Sequence, residues 1–538
     1  MMGTLAISAL VATPILFVLG NLWVNSGEVW RHLSTTVLPT YLINSFWLML
    51  GVAVGVVGLG VSTAWLVTLC RFPASRLFAW ALLLPLAAPA YLLAYTYTEF
   101  LAFYGPVQTQ LRQLMGWETM QDYWFPNVRS LPGAIVMLVL VLYPYVYLLA
   151  RTAFLSQSEC TLEASRNLGC SPWRSFWTVA LPLARPAIVA GLVLALMETL
   201  NDYGTVQYFG VDTFTTGIYR TWFGMGEQPA AAQLAALLLV FALVLIGLEQ
   251  GSRGQTRYYQ AASSTQVLTP YPLQGLRAIA AFMLCLLAVG LGFLLPGGIL
   301  VQMVVENRDQ IFDEQFWTFA TNSLILSGIS ATLAVLLAVI LSYGTRQHPS
   351  KLMRFAVQVA AMGYAIPGSV IAVGVLLPIG QLDNAIANWM QSTWGISTGL
   401  LLSGTIVALV FAYLVRFLAV SFSTVDASLL KIKPNLDEAA RSLGHGTLST
   451  LARIHLPMIT PGLLTAAVLV FVDVMKELPM TLIIRPFNFD TLAVRVYNLA
   501  SDERLAEAAA PALAIVLVGL IPVMLLSVRM SRFRAPQR

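Results

Sequence analysis

Five ionisable residues stand where an apolar chain is costly to charge. Glu198 and Asp202 close one long apolar run, and Asp473, Lys476 and Glu477 close another. At an offset of 275 residues Glu198 aligns with Asp473, Asp202 with Glu477 and Asn201 with Lys476. Each run therefore carries two acids four residues apart, on one face of a helix. An ionisable residue at membrane depth marks a functional site by default. One reading is a polar translocation path or gate lined by Glu198, Asp202, Asp473, Lys476 and Glu477. The other is structural: ion pairs such as Lys476 with a neighbouring acid, and capping of backbone where the helices break at Gly204 and Pro479. Both stay open at this level. No covalent chemistry suggests itself. The chain has no His-Glu-x-x-His, no Gly-x-Ser-x-Gly and no P-loop, so no ATP site of its own is expected. Cys70, Cys160, Cys170 and Cys285 show no paired metal spacing, and neither a disulfide framework, a metal nor a cofactor is expected.

The elements that must hold these residues are membrane helices. The chain has 538 residues, of which 58% are hydrophobic and 10% charged, against roughly 25% charged in soluble domains. Hydropathy marks about twelve spans: 4–23, 46–70, 77–98, 132–150, 187–209, 231–248, 278–296, 320–343, 353–379, 398–420, 462–486 and 508–528. The N-terminal run lacks a basic flank and reads as an uncleaved first helix. The net charge of +5 does not point to nucleic acid, because the basic residues are spread over short loops. Alternate loops, at 71–76, 151–185, 249–277, 344–354, 416–460 and the C-terminus, hold 21 of the 30 Lys and Arg. By the positive-inside rule these loops and both termini are cytoplasmic.

Two of those loops repeat each other. Glu163–Pro186 and Glu438–Pro461 align without a gap, and eight of 24 positions are identical. The matches are Glu163/Glu438, Ala164/Ala439, Arg166/Arg441, Leu168/Leu443, Gly169/Gly444, Leu181/Leu456, Pro182/Pro457 and Pro186/Pro461. They cluster at a helix start, a glycine stop and a Leu-Pro. Pro434 or Thr161 would open a short helix, and Gly444 or Gly169 would end it with positive φ. A second short piece would follow, with Pro186 or Pro461 starting the next membrane helix. Asn44-Ser45 and Asn322-Ser323 match at an offset of 278, as do Pro89 and Pro367. The expected fold is an all-α polytopic membrane protein of two parallel six-helix repeats, 1–249 and 277–538, joined by a polar linker at 250–276. The repeated loops would fall at about 151–186 and 416–461.

The motif resembles the EAA loop in permease subunits of binding-protein-dependent ABC importers, with one departure at Ser165. The resemblance covers nearly the whole chain, because the repeat does. It implies that Glu163, Ala164, Gly169 and Pro182, with Glu438, Ala439, Gly444 and Pro457, belong to two coupling segments that dock on cytoplasmic ATPase subunits. ATP would then be bound by those partners, and a periplasmic solute-binding protein would deliver the cargo at the inner membrane. A fused two-copy chain resembles the ferric iron permeases first and the thiamine permeases next. The stretches after Glu198 and from Met475 to Tyr497 favour iron. In the same outer region Thr216 and Arg220 align with Thr491 and Arg495 at 275, and Arg485, Asp490 and Arg495 are candidates for the surface that meets a binding protein. The alternatives are another small solute as cargo and, in a different class, a secondary transporter.

Overall fold

The computed structural model describes residues 2–24, 27–156, 169, 171–252, 270–307 and 313–532. Among the described residues, eleven helices are long and apolar enough to cross a membrane. A bent pair, Ser75–Ala87 with Ala90–Met115, makes a twelfth span if counted as one, with a 90° break. The helices used below are α1 (Met2–Gly20), α2 (Leu38–Leu69), α3 (Ser75–Ala81), α4 (Ala90–Leu101), α5 (Leu131–Ser156), α6 (Leu181–Asn201) and α7 (Gly204–Tyr208). They continue as α8 (Gln228–Ser252), α9 (Leu276–Val289), α10 (Glu314–Gln347), α11 (Lys351–Ala360) and α12 (Gly368–Trp394). The chain ends with α13 (Ile406–Leu429), α14 (Asn435–Ser442), α15 (Leu456–Met475), α16 (Pro479–Ile484) and α17 (Leu505–Arg532).

The chain packs as two compact units whose membership does not follow chain order. One gathers Met1–Trp30, Ile218–Leu239 and Phe312–Asn498; the other gathers Arg31–Gly217, Val240–Ile311 and Leu499–Arg538. In the first, α10, α13 and α15 pack on one another, and α1 lies against α11 and α12. In the second, α2, α5 and α6 form the corresponding triad. Residues 70–71 also bridge in parallel to residues 271–272, which fixes the described end of the linker.

The α2–α5–α6 triad closes through small residues, as helices must where packing rather than water drives association. A Cβ on Gly60 would fall 3.0 Å from the Tyr143 carbonyl oxygen and 2.8 Å from Val146 Cβ. A Cβ on Gly191 would fall 2.9 Å from the Tyr145 carbonyl oxygen. Gly58, two residues from Gly60, faces open space. Gly60→Leu is therefore expected to cost about 2–3 kcal/mol, from overpacking against backbone. Gly58→Leu is expected to be near neutral, and unfolding titrations of the two variants in mixed detergent check the contrast.

Proline explains where the spans break. Pro89 and Pro367 each precede a helix, α4 and α12, at the 278 offset found in sequence. The span expected at 353–379 therefore divides into α11 and α12. The Leu-Pro pairs do something else. Phe176–Ala180, Gly290–Leu294 and Leu451–His455 are π turns, each followed directly by Leu-Pro. Leu181 N–H donates to the Phe176 carbonyl, five residues back, and Leu456 N–H to that of Leu451. Pro182 has no N–H for residue 178, and in a regular turn its ring would strike that carbonyl. Widening the turn by one residue moves the carbonyl aside.

Helix is thus continuous from Pro172 into α6 and from Thr447 into α15, and Pro186 and Pro461 sit inside helices rather than at their starts. The expected span at 398–420 is displaced in the same region, because α13 runs from Ile406 to Leu429. The interval between the membrane helices shrinks to 430–446, which holds α14, where 416–461 was expected.

Candidate functional site

Both copies of span five end in the same device. α6 stops at Asn201, and the Asp202 carboxylate turns back over the start of α7. Its Oδ1 accepts from the N–H groups of Thr205 and Val206, both at 3.1 Å, and its Oδ2 from Thr205 Oγ1 at 2.9 Å. In the second copy Glu477 caps α16. It accepts from Met480 N–H at 3.0 Å, Thr481 N–H at 2.9 Å and Thr481 Oγ1 at 2.7 Å. Each acid thus satisfies the i+3 and i+4 donors that a helix N-terminus leaves open, and its charge suits the positive end of the dipole.

The other acids divide. Asp473 pairs with Lys476 at 3.1 Å. Glu198 lies half-buried one turn before Asp202 on α6. Capping and pairing therefore account for Asp202, Glu477, Asp473 and Lys476 within their own units.

Glu477 has a partner that hydropathy hides. Arg416, buried ten residues into α13, places Nη1 3.2 Å from Glu477 Oε1. Tyr413, one turn earlier, places its hydroxyl 2.5 Å from Thr481 Oγ1. The window that ended a span at residue 420 put Arg416 at the border of a basic loop. The signal available was helical spacing, since Tyr413 and Arg416 share a face at i and i+3.

Beyond the short helices the repeat register changes. Asn44 Nδ2 donates to the Asp212 carbonyl at 2.9 Å, and Asn322 Nδ2 to the Asp490 carbonyl at 3.1 Å. Gly210 and Asn488 are both left-handed, with φ of 68° and 67°. These pairs are 278 apart, not 275. The second copy therefore holds three more residues between Thr481 and Asn488, and Thr216/Thr491 and Arg220/Arg495 are not structural equivalents. The extra length makes a turn in which Arg485 pairs with Asp490. Phe487 projects from it at 94% exposure, whereas Phe209, its counterpart at 278, is buried. Arg495 lies over the Phe319 ring and contacts Gln315.

The repeated loop forms a surface helix where it is described. α14 follows Pro434, with Asp437 and Glu438 in its first turn. His445 N–H returns to the Ala440 carbonyl and Gly444 N–H to that of Arg441, both at 2.9 Å. This double closure needs a left-handed residue, and Gly444 supplies it at φ 79°. Gly169 has the same φ of 79°. Glu163, Ala164 and Thr161 lie outside the described residues. Glu438 and Ala439 are exposed, and so are Leu443 at 79% and Leu448 at 77%. Trp173, which aligns with Leu448 at 275, is 67% exposed. Each copy thus presents a large apolar side chain just beyond its glycine.

A family model described as the inner membrane component of binding-protein-dependent transport systems matches residues 4–249. The chain is 27% identical over 494 residues to the Fe(3+)-transport system permease protein FbpB 2 of Haemophilus influenzae, covering 90% of this chain and 89% of that one. It is 22% identical over 447 residues to the ferric transport system permease protein FbpB of Actinobacillus pleuropneumoniae, covering 79% and 60%. With the repeated glycine-stopped segment and the repeated break in span five, these matches give residues 4–249 the permease domain of binding-protein-dependent transport systems, in a chain similar along most of its length to permeases named for ferric transport.

Proposed function

We propose that this chain is the transmembrane subunit of an importer that takes ferric iron from a periplasmic binding protein. Two separate ATPase subunits drive it, docked on Glu163–Gly169 and on Glu438–Gly444. The observation that carries the docking is α14 itself. It is a short helix, held at both ends, that exposes Glu438 and Arg441, with Leu443 at its C-terminal end and Leu448 just beyond Gly444 exposed beside them. An exposed helix of this kind can lie in a partner's groove with its apolar side chains as anchors. Iron is favoured because relatives matched along most of the chain are named for ferric transport. The excess of Lys and Arg in alternate loops supports a cytoplasmic α14, together with both termini. The turn bearing Phe487 then faces the periplasm, where Arg485, Asp490 and Arg495 lie with it on the surface offered to the binding protein.

ATP binding would close the two ATPases and shift the docked segments, and each state would be favoured by the contacts it gains. The test is uptake into proteoliposomes holding the chain and its ATPases, with ferric-loaded binding protein outside and ATP within. Ferric iron should accumulate only with ATP and only with the binding protein. Accumulation driven by an ion gradient without ATP would make this a secondary transporter. Accumulation of thiamine or another solute in place of iron would keep the architecture and remove the cargo assignment.

A further inference from the structure

One side chain joins α14 to the ends of two membrane helices. Arg346, in the last turn of α10, sends Nη2 to Asp437 Oδ2 at 2.6 Å and Nε to the same oxygen at 3.1 Å. Its Nη1 donates to the Leu429 carbonyl at 2.8 Å, and Nη2 also to the Ile432 carbonyl at 3.0 Å. Leu429 and Ile432 lie at and just past the end of α13, where carbonyls have no helical partner. The other Asp437 oxygen lies 3.1 Å from Nε2 of His455, which is fully buried at the start of α15. Four elements therefore meet at one guanidinium and one carboxylate.

Tyr343 extends the grip. It stands one turn before Arg346 on the same face of α10. Its hydroxyl donates to the Thr447 carbonyl at 2.7 Å, and its ring meets His455 edge-on at 5.7 Å. Arg346 holds the first turn of α14, and Tyr343 holds the chain just beyond Gly444. The end of α10 thus brackets the segment from both sides.

The arrangement belongs to the second repeat. At the 278 offset Tyr343 and Arg346 correspond to Trp65 and Thr68, and at the 275 offset Asp437 and His455 correspond to Leu162 and Ala180. Trp65 instead packs edge-on against Phe154 and Phe176. The cation, the carboxylate and the imidazole are all absent from those positions.

We propose that Arg346 is the positioning residue of the second coupling segment, tying α14 to α10 and to the end of α13 and holding Asp437 against His455 at the start of α15, so that α14 moves with the membrane helices. The proposal deepens the reading of α14 as an ATPase-docking helix and rests on it. A guanidinium suits the task, because its planar fork reaches the carboxylate and both carbonyls at once, and an ammonium cannot. Loosening this tie should leave the ATPase bound and active while motion of α14 no longer reaches the membrane helices.

The test uses the full complex in lipid, with ferric-loaded binding protein, and reads uptake and ATP hydrolysis together. Arg346→Met should retain the ATPases and hydrolyse ATP within about twofold of wild type, with uptake per ATP down about tenfold, the scale of a lost charged hydrogen-bond set. Asp437→Asn should do the same, and the double variant should be no worse than the worse single variant, because both break one tie. Arg346→Lys should recover part of the ratio. Tyr343→Phe keeps the ring and removes the hydroxyl that bonds the Thr447 carbonyl and the Gln347 side chain of its own helix, so it carries the test if the Arg346 variants fail to fold, with an expected fall of about threefold. An unchanged uptake-to-ATP ratio in Arg346→Met, or in Tyr343→Phe where that variant stands in, overturns the proposal. So do losses that multiply in the double variant. If wild type itself binds no ATPase, the docking reading falls first and is recognised as such.

Discussion

Arg416→Met is expected to destabilise the protein by about 3 kcal/mol or more, because it strands the buried Glu477 carboxylate without its cation. Arg416 Nη1 and Glu477 Oε1 are 3.2 Å apart, and both side chains are almost fully removed from solvent. The Met480 and Thr481 donors still reach Glu477 in the variant, so the charge is not wholly unsatisfied. That places the loss toward the lower end of what a broken buried pair costs. Adding Glu477→Gln should restore at least half of the stability. The amide removes the unpaired charge, and its oxygen still accepts one N–H at the start of α16. Unfolding titrations in mixed detergent decide the matter. A double variant as unstable as Arg416→Met would show that the pair is not what holds this region.

The second large effect is on assembly. Leu443→Asp combined with Leu448→Asp should reduce co-purification of the ATPase subunits at least about tenfold, as expected for the loss of apolar anchors from a docked helix. The chain's own stability should change by less than about 0.5 kcal/mol per site, since both positions are exposed. Trp173→Asp should act in the same direction through the first repeat. ATPase yield per mole of folded chain is the measurement. Full retention of the ATPases in the combined variant would remove α14 as their docking site.

Much of this architecture was legible because it rests on short-range chemistry. Apolar runs of bilayer length announce spans whatever their neighbours are. A glycine closing a short polar helix announces a left-handed residue, and Gly169 and Gly444 share one φ value of 79°. Asn44 and Asn322 were legible only as matching letters. The structure supplies the reason: each holds the loop that leaves span five, through carbonyls 168 residues away along the chain.

What stayed hidden depends on partners distant in sequence. Hydropathy averages over a window, so it ends a span at a charge and cannot register that Arg416 is neutralised by Glu477, 61 residues on. Arg346 likewise read as one more basic loop residue, although it anchors α14. The polar residues near the break were left between a path and a set of caps, and the caps at Asp202 and Glu477 follow from helix ends that no window locates. A gapless offset of 275 carried past its range misaligned Thr216 and Arg220, because three residues enter the second copy between Thr481 and Asn488.

The π turns separate what the two copies share from what they do not. A π turn is an α-helix carrying one surplus residue, and Phe176–Ala180 and Leu451–His455 carry theirs at equivalent positions. Removing one residue from either turn would close it to a regular turn and rotate everything before it by about 100° around the helix axis, so the surplus residue sets which way the preceding segment faces span five. The three residues that lengthen the turn bearing Phe487 belong to the second copy alone, so the two copies meet span five alike at one end and leave it differently at the other.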